Sequence, residues 1–185
     1  MINWEKTAFV FPGQGSQVVG MGKDLAEAYS IARETFENAD DILGISLSTL
    51  CFEGPEESLN DTINTQPALY VTGIATLRAL QQEVPEAVPA FVAGHSLGEL
   101  TALTAAGALA FEDGVRLVRE RGRLMKAAGE QNPGAMAALL GLDTEAVLEV
   151  CEKASQQTGG VLVLANDNCP GQIVISGENT AIDAG

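Results

Sequence analysis

Apolar residues recur along this chain in two rhythms. Thr7-Ala8-Phe9-Val10-Phe11 and Ala90-Phe91-Val92-Ala93 are short unbroken apolar runs, and each is cut off by glycine. Such runs read as buried strands. Elsewhere the apolar positions follow a helical period. Residues 24–43 read as helix, with Ser30 as the cap where one helix stops and another begins. Ala68 to Gln82 carries Leu69, Val71, Ile74, Leu77 and Leu80 nearly all round, so it predicts a helix buried against a sheet. The polar stretch Asn60 to Pro67 before it reads as connection, and Pro85 and Pro89 end it. A further helix is expected over 100–106, and another from about Glu112 to Gly129. Asn132-Pro133-Gly134 changes the regime. Beyond it come a strand (Ala135 to Leu140), a helix from Thr144 with Asp143 as N-cap, a strand (Val161 to Ala165), the loop Asn166 to Gly171, a strand (Gln172 to Ser176) and the start of a helix near Asn179. The β-α-β-β order resembles the first part of a split βαβ unit.

The helix after Glu112 carries the most informative pattern. At about 100° per residue, Leu117, Val118, Leu124, Met125 and Ala128 fall on one stripe, and Arg116, Arg119, Arg123 and Lys126 on the opposite face. Arg121 lies within the apolar stripe. A guanidinium keeps its charge, so an arginine aimed at a core must meet an anion there, either a structural carboxylate or a ligand admitted to a cavity.

Gly94-His95-Ser96-Leu97-Gly98-Glu99 sits where the second strand turns into the helix over 100–106. That is the strand-turn-helix context of a nucleophile elbow. Glycines on both sides allow a sharp turn, leave the Ser96 hydroxyl exposed, and place the next backbone N–H groups at a helix N-terminus, where they can hold an oxyanion. The alternative is a tight turn that needs glycine only for packing. Pro12-Gly13-Gln14-Gly15-Ser16-Gln17 is a second glycine loop, either a turn or a cradle in which the Gln14 backbone approaches a ligand. It lacks the spacing of a phosphate-binding P-loop.

Composition narrows the class. The 185 residues suit one domain or one and a fraction, and 46% hydrophobic residues supply a core. A net charge of −15 argues against nucleic acid or an anionic membrane surface as partner. Cys51, Cys151 and Cys169 are widely spaced and form no C-x-x-C pair, so neither a disulfide frame nor a metal site is expected. No apolar stretch is long enough to span a bilayer, and a cytoplasmic location is expected.

Four motifs occur in order: Phe11-Pro12-Gly13-Gln14-Gly15-Ser16-Gln17; Gly94-His95-Ser96-Leu97-Gly98-Glu99; Arg121-Gly122 with Met125; and Asn166-x-Asn168-x-Pro170-x-Gln172. Together they resemble the malonyl-CoA:acyl carrier protein transacylase family and the acyltransferase domains of polyketide synthases. The resemblance runs from Thr7 to Gly177 and would cover roughly the first two thirds of such an enzyme. It implies an α/β fold, with a parallel-sheet core resembling an α/β-hydrolase-like acyltransferase over residues 1–131 and a small, incomplete ferredoxin-like α+β subdomain over 132–185. Ser96 would be the nucleophile, the N–H groups of Gln14 and Leu97 the oxyanion hole, and Arg121 the partner of the malonate carboxylate. His95, Asn166 and Asn168 would line the cleft, although the asparagines could equally stabilise a turn. Malonyl-CoA and the phosphopantetheine of acyl carrier protein would be substrates, with no permanently bound cofactor and no metal. The face bearing Arg116, Arg119, Arg123 and Lys126 would meet the acidic carrier, unless it is an ordinary solvated helix face.

The family's general base is a histidine far downstream of the serine, while His95 is the sole histidine in this chain. Adjacent residues at an elbow point apart, so His95 reads as packing behind the turn. The expectation is a truncated chain whose base lies beyond Gly185. Two rivals remain: a serine hydrolase or thioesterase of α/β-hydrolase type, which gives no reason for Arg121, and a non-catalytic homologue that binds CoA or carrier protein.

Overall fold

Strands β1 (Ala8–Phe11) and β2 (Phe91–Gly94) pair in parallel, in register from Ala8 opposite Phe91 to Phe11 opposite Gly94. Both therefore end at the same edge, which is where loops after parallel strands meet to form sites. This computed structural model describes residues 2–185. Five helices connect the two strands: α1 (Lys23–Ala28), α2 (Ser30–Leu43), α3 (Leu47–Glu53), α4 (Glu56–Asn60) and α5 (Thr62–Glu83). After β2 come α6 (Gly98–Ala105) and α7 (Phe111–Gln131). Two compact units divide between Lys126 and Ala127, inside α7, whereas the change of regime in the sequence stands at Asn132.

The core of the first unit is mainly helical. Phe36, Leu47, Leu59, Tyr70, Val71, Leu97, Val115 and Val118 are all essentially inaccessible. Tyr70 stacks on Phe111 with centroids 5.9 Å apart, and its hydroxyl is 2.8 Å from that of Thr104. Burial of Tyr70 pushes its phenol above the usual range. Burial likewise pushes the Cys51 thiol up to about 12, with the Asp40 charge adding to the effect, so Cys51 packs as a small hydrophobe.

Several expectations need correction. The two strands form as read, but Val10 is 75% and Phe91 73% exposed, so each strand is covered on one face only among the described residues. Tyr29, not Ser30, is the residue between α1 and α2, and Ser30 is the first residue of α2. Helix α5 begins at Thr62, well before Ala68, and runs through Pro67. Asp61 caps it by accepting from the Ile63 N–H. Proline costs a helix the bond from its own N–H to the carbonyl four residues earlier, here Ile63. Arg119 Nη1 donates to that carbonyl at 2.9 Å, so it takes over the missing donor's role.

Helix α7 buries only one edge of the face its apolar stripe marks, and extends it through glycines. Leu117, Leu124 and Met125 are exposed, whereas Gly114, Val118 and Gly122, one turn apart, are buried. A Cβ on Gly114 would overlap the Tyr70 ring, and one on Gly122 would stand 2.7 Å from the Thr62 carbonyl oxygen. The helix approaches α5 through the absence of side chains.

In the second unit β3 (Ala135–Leu140), α8 (Thr144–Thr158), β4 (Leu162–Cys169), β5 (Gln172–Gly177) and α9 (Asn179–Ala184) follow in that order. Strand β5 lies between β3 and β4 and is antiparallel to both. Val147, Cys151, Ile173 and Ile175 form its core, and Asp143 caps α8 by accepting from the Ala146 N–H. The stretch read as a loop from Asn166 is strand as far as Cys169, paired with β5 through two irregularities in register. Only Pro170-Gly171 turns, with Gly171 at φ +79°.

Candidate active site

The turn after β2 is built by close backbone contact. A Cβ on Gly94 would overlap the backbone of Gly98, and one on Gly98 would overlap the Phe11 carbonyl. Neither position admits a side chain, and the His95 N–H donates to the Phe11 carbonyl at 3.1 Å, tying the turn to the end of β1. Between them Ser96 adopts φ +52°, the only non-glycine residue with positive φ among the described residues. A left-handed serine between glycines is strained, and such strain is typical of a nucleophile held proud of its sheet. Ser96 is exposed, Leu97 behind it is buried, and α6 starts at Gly98.

The glycine loop after β1 packs beside this turn. Gly13 is buried, and a Cβ there would stand 2.7 Å from the His95 carbonyl oxygen and 3.0 Å from its Nδ1. The His95 ring therefore lies against Gly13. The N–H groups of Gln14 and Leu97 donate to no backbone or side-chain acceptor among the described residues. Gly15 has φ +104°, and its N–H donates to the Gln17 side chain at 2.8 Å.

Arg121 reaches the serine from α7. Its Nη2 donates to Ser96 Oγ at 2.9 Å and its Nη1 to Gln66 Oε1 at 2.7 Å. No carboxylate partners it, which settles half of the choice posed by the sequence: Arg121 is not held by a structural ion pair among the described residues. Its guanidinium can donate to a carboxylate from outside, beside the Ser96 hydroxyl.

What positions these groups is the segment that reads as connection. Asn60 Oδ1 accepts from Gln17 at 2.8 Å, Asp61 from Lys126 at 2.5 Å, Thr62 Oγ1 from Gln14 at 3.1 Å, Asn64 Oδ1 from Arg119 at 2.6 Å, and Gln66 Oε1 from Arg121. The end of α4 and the first turns of α5 thus hold both the glycine loop and α7. Sequence reasoning missed all five. The available signal was a polar side chain at nearly every position just before the apolar stretch that starts at Ala68.

The basic face of α7 is mostly used up internally. Arg116 pairs with Asp113 at 3.6 Å, Arg123 with Glu120 at 2.6 Å and Lys126 with Asp61, while Arg119 is half-buried against α5. Lys126 holds the Asp61 carboxyl below its usual range, and burial lowers the Arg119 guanidinium. Asn166 and Asn168 stand on β4 of the second unit, half-buried and exposed respectively. Among the described residues no group of three or more His, Cys, Asp or Glu side chains could hold a metal, and no helix is long and apolar enough to cross a membrane.

Residues 8–184 match the family described as the acyl transferase domain. The chain is 51% identical over 178 residues to the malonyl CoA-acyl carrier protein transacylase of Bacillus subtilis, covering 96% of this chain and 55% of that protein. Among solved structures it is similar to the malonyl-CoA:acyl carrier protein transacylase of Xanthomonas oryzae, at 50% identity and a TM-score of 0.89, covering all of this chain and 57% of that one. It is also similar to a malonyl-transacylase solved in complex with a type II polyketide synthase acyl carrier protein, at 44% identity and a TM-score of 0.89, covering 97% and 57%. The chain thus spans a little over half the length of these relatives.

Proposed function

The chain belongs to the acyl transferase domain family, and on that premise we propose that it carries the nucleophile and substrate clamp of a malonyl-CoA:acyl carrier protein transacylase of fatty acid synthesis. The observation that carries this is the pairing of a strained, exposed Ser96 with an Arg121 guanidinium 2.9 Å from its Oγ that meets no carboxylate among the described residues.

Ser96 Oγ attacks the thioester carbon of malonyl-CoA and gives up its proton to a general base. The carbonyl oxygen becomes an oxyanion held by the N–H groups of Gln14 and Leu97. The C–S bond then breaks, and CoA leaves as the protonated thiol. The malonyl group remains as an ester on Ser96, its carboxylate separated from Oγ by a carbonyl carbon and a methylene, within reach of Arg121. The phosphopantetheine thiol of acyl carrier protein repeats the attack in the opposite sense. His95, its ring against Gly13, is given no part in the proton transfer.

We read β1 and β2 as the centre of an α/β-hydrolase-like sheet, supported by the elbow at the end of β2. The second unit is read as ferredoxin-like, supported by the split order in which β5 separates β3 and β4. The substrates need no resident cofactor, and the reaction belongs in the cytoplasm. The test is Ser96→Ala in the full reading frame. Wild type incubated with malonyl-CoA should gain one malonyl group by mass and the variant none, and a malonyl adduct on the variant would sink the assignment.

A further inference from the structure

The loop after β1 has almost no bonding of its own. Residues 12–17 make no backbone-to-backbone hydrogen bond among the described residues: the Phe11 carbonyl accepts from His95 just before the loop, and such bonding resumes only at Val18, whose carbonyl accepts from Met21. Gly13 and Gly15, the latter at φ +104°, widen the choice of conformations further. Holding such a segment in one shape costs about 1 to 2 kcal/mol per residue, yet an oxyanion donor is effective only when it is already in place.

Three side-chain bonds supply the missing order, and Gln17 makes two of them. Its Oε1 accepts from the Gly15 N–H at 2.8 Å, and its Nε2 donates to Asn60 Oδ1 at 2.8 Å. The third runs from Gln14 Nε2 to Thr62 Oγ1 at 3.1 Å. Gly15 belongs to the peptide that follows Gln14, so the Gln17 oxygen fixes Gln14 from its C-terminal side, while Gly13, packed on the His95 carbonyl, fixes it from the other. A backbone N–H only donates, so the amide oxygen of Gln17 must face Gly15 and its NH2 must face Asn60. The anchor is firm, because Asn60 ends α4 directly after the fully buried Leu59. An apolar side chain of the same length would leave the Gly15 N–H to water and the loop untied from α4.

We propose that Gln17 is the positioning residue of the oxyanion loop: its amide ties the Gly15 N–H to Asn60 on α4 and so presets the Gln14 N–H for the oxyanion formed on Ser96. This rests on Gln14 and Ser96 having the roles proposed above.

The test follows loading of Ser96 from malonyl-CoA and from acetyl-CoA, timed by mass, in the full reading frame of wild type, Gln17→Met, Asn60→Leu and Asn60→Asp, with thermal melts alongside. Both thioesters form the same oxyanion. Gln17→Met and Asn60→Leu should therefore lower the maximal loading rate for both roughly tenfold or more, with the malonyl-to-acetyl ratio and KM unchanged. Asn60→Asp still accepts from the Gln17 NH2 and should recover most of the rate lost in Asn60→Leu. Asn60 is exposed, so its variants should fold and decide alone should Gln17→Met not fold. Maximal rates that stay at the wild-type level, a loss confined to malonyl, or an Asn60→Asp as slow as Asn60→Leu would overturn the proposal. A wild type that never loads malonyl would instead overturn the functional reading on which it rests.

Discussion

The elbow around Ser96 is shaped almost wholly by backbone, whereas the first turns of α5 act through side chains. At the elbow, Gly94 and Gly98 fit because they have no Cβ, and the His95 N–H closes the turn on the Phe11 carbonyl. Along α5, Asp61, Thr62, Asn64 and Gln66 each hold a group from the glycine loop or from α7. One region fixes where Ser96 stands and the other fixes what surrounds it. The difference predicts how each fails: the elbow should be intolerant of any added atom, and the α5 segment should degrade by degrees.

The sharpest way to break that contrast is Gly94→Ala. A methyl group there meets the Gly98 backbone, which has no flexible end to yield, so the cost should reach about 4 kcal/mol or more and appear in thermal or denaturant melting. A near-normal melt would mean the elbow is not rigid.

Next is Arg121→Ala, where the contact is lost without disturbing the turn. Malonyl loading should lose about 3 kcal/mol relative to acetyl, which has no carboxylate to pair. The ratio of the two rates from competing substrates measures this, and an unchanged ratio would reduce Arg121 to a structural role.

Arg119→Met tests the α5 segment directly. It strands the Ile63 carbonyl that Pro67 cannot serve, at a cost of about 2 kcal/mol in stability. Pro67→Ala returns the missing N–H, so in a double-mutant cycle it should make the Arg119 substitution cheaper. Strict additivity would show that the carbonyl was never the reason for the contact.

The smallest effect is expected at Asp61. Lys126 lowers its carboxyl in the fold, so the gain is complete above the ordinary value of 3.8 and is lost as pH falls through the lowered one. Asp61→Asn keeps an N-cap but loses the pair, and should cost about 1 kcal/mol or less at neutral pH and nothing in strong acid. Equal losses at both pH values would show that the charge was irrelevant.

How much of this could be read in advance follows the same division. The elbow and the glycine loop were legible because their constraints are local: glycine at a sharp turn announces itself within five residues. Arg121 was legible as a misfit on α7, although the stripe that made it one is mostly exposed. Periodicity gives glycine no weight, so Gly114 and Gly122, which flank the correctly read Val118 in the buried seam, passed unseen beside the louder Leu117 and Leu124. The polar run before Ala68 reads as connection because polar side chains and a proline usually mean one. Its partners lie far away in sequence, where no local pattern reaches. The asparagines on β4 misled in the same way, since pairing with β5 extends a strand through residues that favour turns.

The parallel pairing of β1 with β2 also bears on how the site comes into being. The glycine loop and the elbow touch only after the chain has passed through all of α1 to α5, so their meeting is among the most non-local events in the first unit. Contacts that close so long a loop pay their entropy before they return it, and they slow folding accordingly. The helices can gather early, but the left-handed Ser96 has no reason to exist until β2 docks on β1. The Ser96 turn is therefore a late milestone of folding, and if Ser96 is the nucleophile proposed above, an acyl probe applied during refolding would time the docking of the two strands.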